Sequence, residues 1–221
     1  IVTGNLIDDK GNLKNIEDDD IKKIYEKAEA KLDLVKLTDD NIIYKSGLAN
    51  EFEKRLNYNH YIWTREFQYK DIKPLIFAEK LLFNEKNEIP NDYKFNMINN
   101  KLSFVYCTID REKANYRRIY DSNWQYKNMV WAPHGEHNSK KYNGPDIPRP
   151  KNFKLMKTIA EKLSKGFSYI RIDFYEVGDK VFVGELTQHH RSGVDTILPK
   201  KFDIELGRSL NLKKSNLNIP Y

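Results

Sequence analysis

Cysteine is almost absent. Cys107 stands alone among 221 residues, which excludes an internal disulfide framework and fits a reducing compartment. No apolar run is long enough to span a bilayer, and no signal peptide opens the chain, so a cytoplasmic protein without membrane insertion is expected. Internal repeats, low-complexity tracts and a clear domain linker are missing as well. The charge excess is small: 38 Lys and Arg stand against 32 Asp and Glu, for a net +6. That leaves room for a polyanionic partner. The basic residues are interspersed with acidic ones, however, whereas nucleic-acid binders concentrate them on one face, so no nucleic acid is expected. Present instead are 39% hydrophobic and 13% aromatic residues, enough for a globular chain with its own core, in one domain or two small lobes.

The first residue is Ile1 rather than Met, and IVTGNLI reads as a strand entered midway, so an upstream segment is expected. A turn at DDKGN (8–12) precedes a helix from Asp18–Asp20 to about Leu34, with Ile21, Ile24, Tyr25, Ala28 and Leu32 on one stripe. A second helix is expected at about 47–56 and strand-like chain over 60–82. Asn99-Asn100 is a good tight turn between strands 93–98 and 102–109. Residues 132–150, with four prolines, read as a long polar loop. Phe153, Met156, Ile159, Ala160 and Leu163 predict a helix over about 151–165, with Gly166 just past its end. A hairpin over 170–187 follows, then a polar loop and a tail.

That hairpin, RIDFYEVGDKVFVGELT (171–187), sets acids into otherwise apolar strands. With unbroken alternation, Ile170, Ile172 and Phe174 share one face, and Arg171, Asp173 and Tyr175 the other. A two-residue loop at Gly178-Asp179 would pair Asp173 with Gly184 and bury Glu185 opposite Ile172. A loop of odd length pairs Ile172 with Leu186, Phe174 with Gly184 and Asp173 with Glu185. The apolar match favours the second register, and a one-residue slip would turn a strand over. Two carboxylates about 5 Å apart repel. A shared proton, a neighbouring Arg171 or a divalent cation would relieve them. The bland reading is an exposed hairpin neutralised by Arg171. The sharper one is a metal-phosphate site, to which Thr187 adds a hydroxyl two residues beyond Glu185.

RIDFY, then GELT, then HHRSG resemble the carboxy-terminal signature of the ATP-grasp superfamily, and more closely its TupA-like branch, linked to teichuronopeptide and surface-polysaccharide biosynthesis. TREFQYKDIKPLIFAEKLL (64–82), NDYKF (91–95), DREKANYRRIYDSNW (110–124) and PRPKNFKLMKTIAEKLSKGFSYIRIDFY (148–175) match in the same order, so the resemblance covers roughly 60–207. It implies an α+β fold of antiparallel sheets and packed helices, in two lobes around a nucleotide cleft. Residues 1–82 would belong to the central nucleotide-gripping lobe and 83–221 to the C-terminal lobe with the metal-binding hairpin.

The implied reaction is ATP- and Mg2+-dependent ligation of a carboxylate to an amine or similar nucleophile through an acyl phosphate, on small or glycan-linked substrates. Carried over residue by residue, Asp173 and Glu185 match the metal-binding acids and Thr187 stands where many relatives have Asn. Arg171 would face the transferring phosphate. Glu79, Lys80 and Leu81 would hold adenine by their backbone, and Lys94 would reach ribose, phosphate or acceptor. Arg191, Ser192 and Gly193 would bind an anionic substrate, and Arg111, Arg117 and Arg118 are candidates for an acidic glycan or the acceptor. The family's upstream lysine and Gly-rich loop have no counterpart here, since Gly4 and Gly11 do not make one.

Two other functions compete. A basic module binding acidic glycan or nucleic acid would exclude the carboxylates from its face. A glycosidase would use Asp173 and Glu185 as its acid pair. The pairs His134/His137 and His189/His190 lack the converging ligands of a zinc site, though His189 or His190 is placed to assist proton transfer from an amine. Trp63, Trp124 and Trp131 are read as core packing before sugar stacking, and Cys107 as inert. On the metal reading, Asp173→Asn is expected to weaken Mg-ATP binding more than folding.

Overall fold

A computed structural model describes Lys54 and residues 56–75 and 82–210. The elements expected over 1–34, nearly all of the helix at 47–56, and the adenine segment Glu79–Leu81 lie outside the described residues.

Five antiparallel strands form the main sheet, in the order β3-β2-β1-β5-β6. They are β1 (Asp92–Ile98), β2 (Lys101–Ile109), β3 (Tyr116–Asp121), β5 (Tyr169–Val177) and β6 (Lys180–Thr187). Asn99 and Asn100 have φ of 48° and 64°, so the β1–β2 turn needs two left-handed residues. Asn tolerates that conformation better than most, and the matching twist closes a two-residue hairpin as expected.

Alternation decides the faces. Tyr93, Phe95 and Met97 of β1, Val105 and Cys107 of β2 and Ile170, Ile172 and Phe174 of β5 form one buried cluster. Helix α2 (Phe153–Leu163) covers it with Phe153, Met156, Ile159, Ala160 and Leu163, all buried. Each large side chain among them contributes about 1.5–3 kcal/mol of burial. The five-residue stripe expected from spacing is therefore the face that packs. Cys107 lies fully inside this core, where burial pushes its thiol up and keeps it unreactive.

The opposite sheet face is divided. At one end Phe104, Tyr106, Ile119 and Met129 meet Trp131, Ile197, Phe202 and Leu206. These partners come from a small sheet, β4 (Val130–Ala132) with β7 (Thr196–Leu198), and from helix α3 (Lys200–Ser209). The rest of that face is polar and opens on a cleft.

Two expectations are corrected. The chain from 60 is not strand-like: α1 (His60–Thr64) and a 3-10 turn at Phe67–Tyr69 occupy it. Asn59 Oδ1 accepts from Ile62 N at 3.4 Å and the Thr64 hydroxyl donates to the His60 carbonyl at 3.0 Å. Local capping outweighs the β-propensity of its aromatic and branched residues, whose Ile62 and Trp63 stay exposed. The region after 187 is also more than loop and tail, because β7 and α3 lie within it. Phe202 and Leu206, four apart, put the apolar side of α3 on Phe104 and Ile119.

Candidate active site

The register of the sheet assembles the site. On the polar face, one cross-strand row runs Ile119–Tyr106–Lys94–Asp173–Glu185, and the next sets Asn96, Arg171 and Thr187 side by side. Asp173 does pair with Glu185, but not through an odd loop. Val177 pairs with Lys180 across the two residues Gly178-Asp179, with Gly178 at φ 58°. The shift comes from a β-bulge after Asp173, where Gly184 is skipped and Phe174 pairs with Val183. One extra residue sends Val181, Val183 and Leu186 to the core and returns Glu185 and Thr187 to the polar side.

Cations relieve the two acids. Arg171 grips Asp173 with Nε to Oδ1 at 2.6 Å and Nη2 to Oδ2 at 2.8 Å. Its Nη2 also reaches Glu185 Oε2 at 3.3 Å. Lys94 Nζ donates to Asp173 Oδ2 at 2.5 Å and to Asp92 Oδ2 at 2.6 Å. The Thr187 hydroxyl donates to Glu185 Oε1 at 2.8 Å. Asp173 is 2% exposed, so this is not an exposed hairpin, although Glu185 keeps a side chain 33% exposed. Tyr169 donates to Asn96 Oδ1 at 2.9 Å and closes the floor beside Arg171.

Burial pushes the Asp173 carboxyl up, but Arg171 and then Lys94 outweigh it and hold it below the usual carboxylate range. Asp92 goes the other way: its burial, with Asp173 adding repulsion, exceeds the help from Lys94 and raises it. Burial works against the charge on Arg171, yet Asp173 and Glu185 keep its guanidinium more firmly protonated than usual.

A cleft of about 270 Å3 lies over these strands, lined by six Lys and Arg side chains and three Asp and Glu, an excess that suits an anionic ligand. Lys94, Arg171 and Arg191 all line it. Arg191, Ser192 and Gly193 form a turn with left-handed φ of 45°, 55° and 74°. Two non-glycine residues there need outside support. Ser192 N and Oγ both bond Glu66 Oε1, at 2.9 and 3.1 Å, while Arg191 Nε meets Asp195 Oδ1 at 3.1 Å. The structure thus aims Arg191 at the cleft and ties Ser192 to a buried acid.

Of the remaining candidates, Arg111 and Arg117 line the cleft. Arg118 does not: it stacks on Tyr126 at 3.6 Å and donates to the Gly144 carbonyl at 3.1 Å. His189 turns to Gln68 at 2.8 Å, whereas His190 faces the cleft and packs on Trp131. Burial first, and then Arg171, push His190 down to about 3, despite Asp195 Oδ2 lying 3.5 Å away. The depressed value means the unfolded chain binds a proton that the folded chain refuses. Stability through this group is therefore full above pH 6.5 and lost as pH falls from there toward about 3. Replacing His190 with Gln is expected to flatten the acid limb of a stability-pH profile over that window, read by denaturant unfolding. An unchanged limb would contradict a neutral buried His190.

Sequence reasoning overlooked Asp92, Glu66 and Asp195. Asp92 had a signal, because it stands two residues before Lys94 on the same strand face. Glu66 had none, since Ser192 lies 126 positions away, whereas Asp195 stands four residues from the Arg191 it pairs with.

Among the described residues, no three His, Cys, Asp or Glu side chains converge as a metal cage. Magnesium does not require one, because it keeps waters and phosphate oxygens in its shell. Both Asp173 oxygens are engaged by cations, while Glu185, with its side chain 33% exposed, keeps lone pairs to spare beside the Thr187 hydroxyl. Glu185 is therefore the acid most open to a phosphate-bound magnesium ion, whereas Thr187 is 3% exposed and bonded to Glu185, and Asp173 fits only once Lys94 or Arg171 yields an oxygen.

A family model described as TupA-like ATPgrasp matches residues 7–211. No curated protein and no solved structure matches the chain.

Proposed function

Because the chain belongs to the TupA-like ATP-grasp family, we propose that it is an ATP- and Mg2+-dependent ligase that joins a carboxylate to an amine. The γ-phosphoryl group moves to an oxygen of the acid and ADP leaves. The amine then attacks the acyl carbon, inorganic phosphate leaves with the bonding pair, and the nitrogen loses a proton. We place this activity in the cytoplasm, in the assembly of cell-surface polysaccharide or teichuronopeptide.

The observation that carries the proposal is the row Lys94–Asp173–Glu185 beside Arg171, of which Lys94 and Arg171 line a basic cleft. Phosphoryl transfer depends on positioning and on neutralising phosphate charge. Lys94 and Arg171 supply fixed positive charge, and Asp173 holds both in place through charge-assisted bonds. Glu185, with Thr187 bonded to it, would hold Mg2+, which neutralises phosphate oxygens as a Lewis acid. Arg191, on the turn with Ser192 and Gly193, would meet the anionic substrate. The backbone of Glu79–Leu81 would pair with adenine.

The competing functions fit less well. A glycosidase needs one carboxyl free to donate and one free to attack, whereas Asp173 has neither oxygen free. A plain polyanion-binding face has no use for buried carboxylates beneath its cations.

Calorimetric titration of ATP into the full-length protein, with and without Mg2+, tests the proposal. Binding is expected only with Mg2+, and Glu185→Gln is expected to weaken it by about 10- to 100-fold. Absence of nucleotide binding to wild type in either condition sinks the ligase reading and leaves the binding module.

A further inference from the structure

We propose that Glu66 is a positioning residue for anion binding: it holds Ser192 in the left-handed conformation that turns Arg191 into the cleft. The inference rests on the reading that Arg191 meets an anionic substrate, and it says what keeps Arg191 there. The cleft lining includes Arg191 but not Glu66, so Glu66 acts through the turn rather than on the ligand.

A left-handed backbone is unfavourable for a residue with a Cβ, which crowds the following carbonyl oxygen. Glycine escapes that crowding. In the turn Arg191, Ser192 and Gly193, with φ of 45°, 55° and 74°, glycine stands only at the last position. A glycine at 192 would adopt the conformation with little help. A serine there makes the conformation depend on what the serine is bonded to. Ser192 N donates to Glu66 Oε1 at 2.9 Å, and the Ser192 hydroxyl donates to the same oxygen at 3.1 Å. One carboxylate oxygen thereby fixes the backbone and the side chain of Ser192 together. Both donors are engaged by Glu66, so Ser192 serves the anion through the shape of its backbone.

Glu66 can act as a fixed post because its own segment fixes it. Its side chain is 1% exposed. Its N donates to the Thr64 hydroxyl oxygen at 3.3 Å, and its carbonyl accepts from Tyr69 N at 3.0 Å. Gln68 Oε1 and His189 Nδ1, 2.8 Å apart, tie the same two segments a second time just ahead of the turn. On the other side Asp195 Oδ1 lies 3.1 Å from Arg191 Nε, and Trp131 Nε1 donates to Asp195 Oδ2 at 3.0 Å. Glu66 sets the backbone of the turn, and Asp195 sets the guanidinium that the turn presents. An anion that needs Arg191 binds only the molecules whose turn has this shape, and its apparent Kd rises as that fraction falls.

Inorganic phosphate is the probe. It is titrated into the full-length protein at fixed ionic strength and followed by calorimetry or by its 31P line shift. Glu66→Ala is expected to weaken phosphate about tenfold, the population shift that a left-handed serine without its partner implies. Adding Ser192→Gly to Glu66→Ala is expected to tighten phosphate again by at least about fivefold, because glycine reaches the left-handed region unaided. The melting temperature lowered by Glu66→Ala is not expected to recover with it, since the buried acid is still missing. That split separates positioning from a merely structural role. Ser192 is exposed, so its own variants are expected to fold. With Glu66 in place, Ser192→Val is expected to bind phosphate about tenfold more weakly than Ser192→Gly, because a branched Cβ resists a positive φ.

A Glu66→Ala protein that binds phosphate as wild type does overturns the positioning role. So does a double variant that stays as weak as Glu66→Ala. If Glu66→Ala fails to fold, the two Ser192 variants decide by themselves, and equal affinities for phosphate overturn the role. Arg191→Gln is expected to weaken phosphate about tenfold, and an unchanged affinity there removes both the reading of Arg191 and the role of Glu66. The ATP titration is read separately. Failure of ATP to bind wild type removes the ligase reading, while the phosphate series still decides for or against Glu66.

Discussion

Replacing Asp173 with Asn is expected to lower the stability of the protein by about 3–5 kcal/mol, the usual cost of removing one partner from a buried ion pair. Asp173 is 2% exposed and takes charge-assisted bonds from two cations, two from the buried Arg171 and one from the partly buried Lys94. Asn keeps the shape and loses the charge. Its amide nitrogen would also aim N–H groups at a guanidinium or an ammonium, donor against donor. Lys94 retains Asp92, and Arg171 retains Glu185 at 3.3 Å, so the loss stays nearer the lower end of that range. Urea unfolding of wild type and variant measures it. A change under about 1 kcal/mol would show that water reaches the network and screens it.

The expectation that this substitution would weaken Mg-ATP binding more than folding was drawn from a hairpin read by itself. The neighbouring strand β1 brings Lys94 and Asp92 against it and turns a surface pair into part of a buried lattice. The pH dependence follows from the same bonds. The folded carboxyl of Asp173 sits below its ordinary range, with burial opposing and Arg171 and Lys94 prevailing. Its contribution is full above the ordinary carboxylate value and fades as pH falls through the lower folded value. Asp92 is raised and works in the opposite sense, favouring the fold where it is protonated. The double variant Arg171→Met with Asp173→Leu removes both charges at once and is expected to cost less than Asp173→Asn alone, because Lys94 keeps Asp92 and the acid that loses Arg171, Glu185, has a side chain 33% exposed to water.

Much of the fold was legible because its signals are local. The paired Asn99-Asn100 turn and the stripe Phe153–Leu163 each act through neighbouring residues, and both formed as read. Of the candidate site residues, Asp173, Glu185, Arg171, Thr187 and Lys94 all lie on one sheet face, and Arg191 lines the cleft with Lys94 and Arg171. What escaped depended on partners far along the chain. Glu66 holds Ser192 from 126 positions away, and Trp131 reaches Asp195 across 64. No spacing rule encodes either contact. Helix α1 escaped for another reason, since aromatic residues that favour a strand were overruled by a single capping asparagine.

Gly184 shows how one residue can carry the difference between fold and site. The run Val181-Phe182-Val183-Gly184-Glu185-Leu186-Thr187 breaks its alternation at the glycine, and a glycine inside a strand is itself a bulge signal. A Cβ at 184 would stand 2.6 Å from Tyr175 Cε2 and 3.2 Å from its Cδ2. Gly184→Val must therefore push that ring away or flatten the bulge. Flattening with the residue still present slips the strand, and either Glu185 enters the core or Val181 and Val183 leave it. The expected cost is about 2–4 kcal/mol, overpacking plus lost burial, with Mg-ATP binding lost as well. Deleting Gly184 is a different change. Without it, Val181, Val183 and Leu186 alternate cleanly with Phe182, Glu185 and Thr187, and Asp173 still faces Glu185 across a two-residue loop. The deletion is expected to fold within about 1 kcal/mol of wild type, since it keeps every core contact and removes an unpaired residue. It also straightens the strand that presents Glu185 and Thr187, so Mg-ATP binding is expected to fall while the melting curve stays in place. A deletion variant that binds Mg-ATP as wild type does would mean that the bulge serves only to fit Tyr175, and that the angle of the Glu185 strand is immaterial to the site.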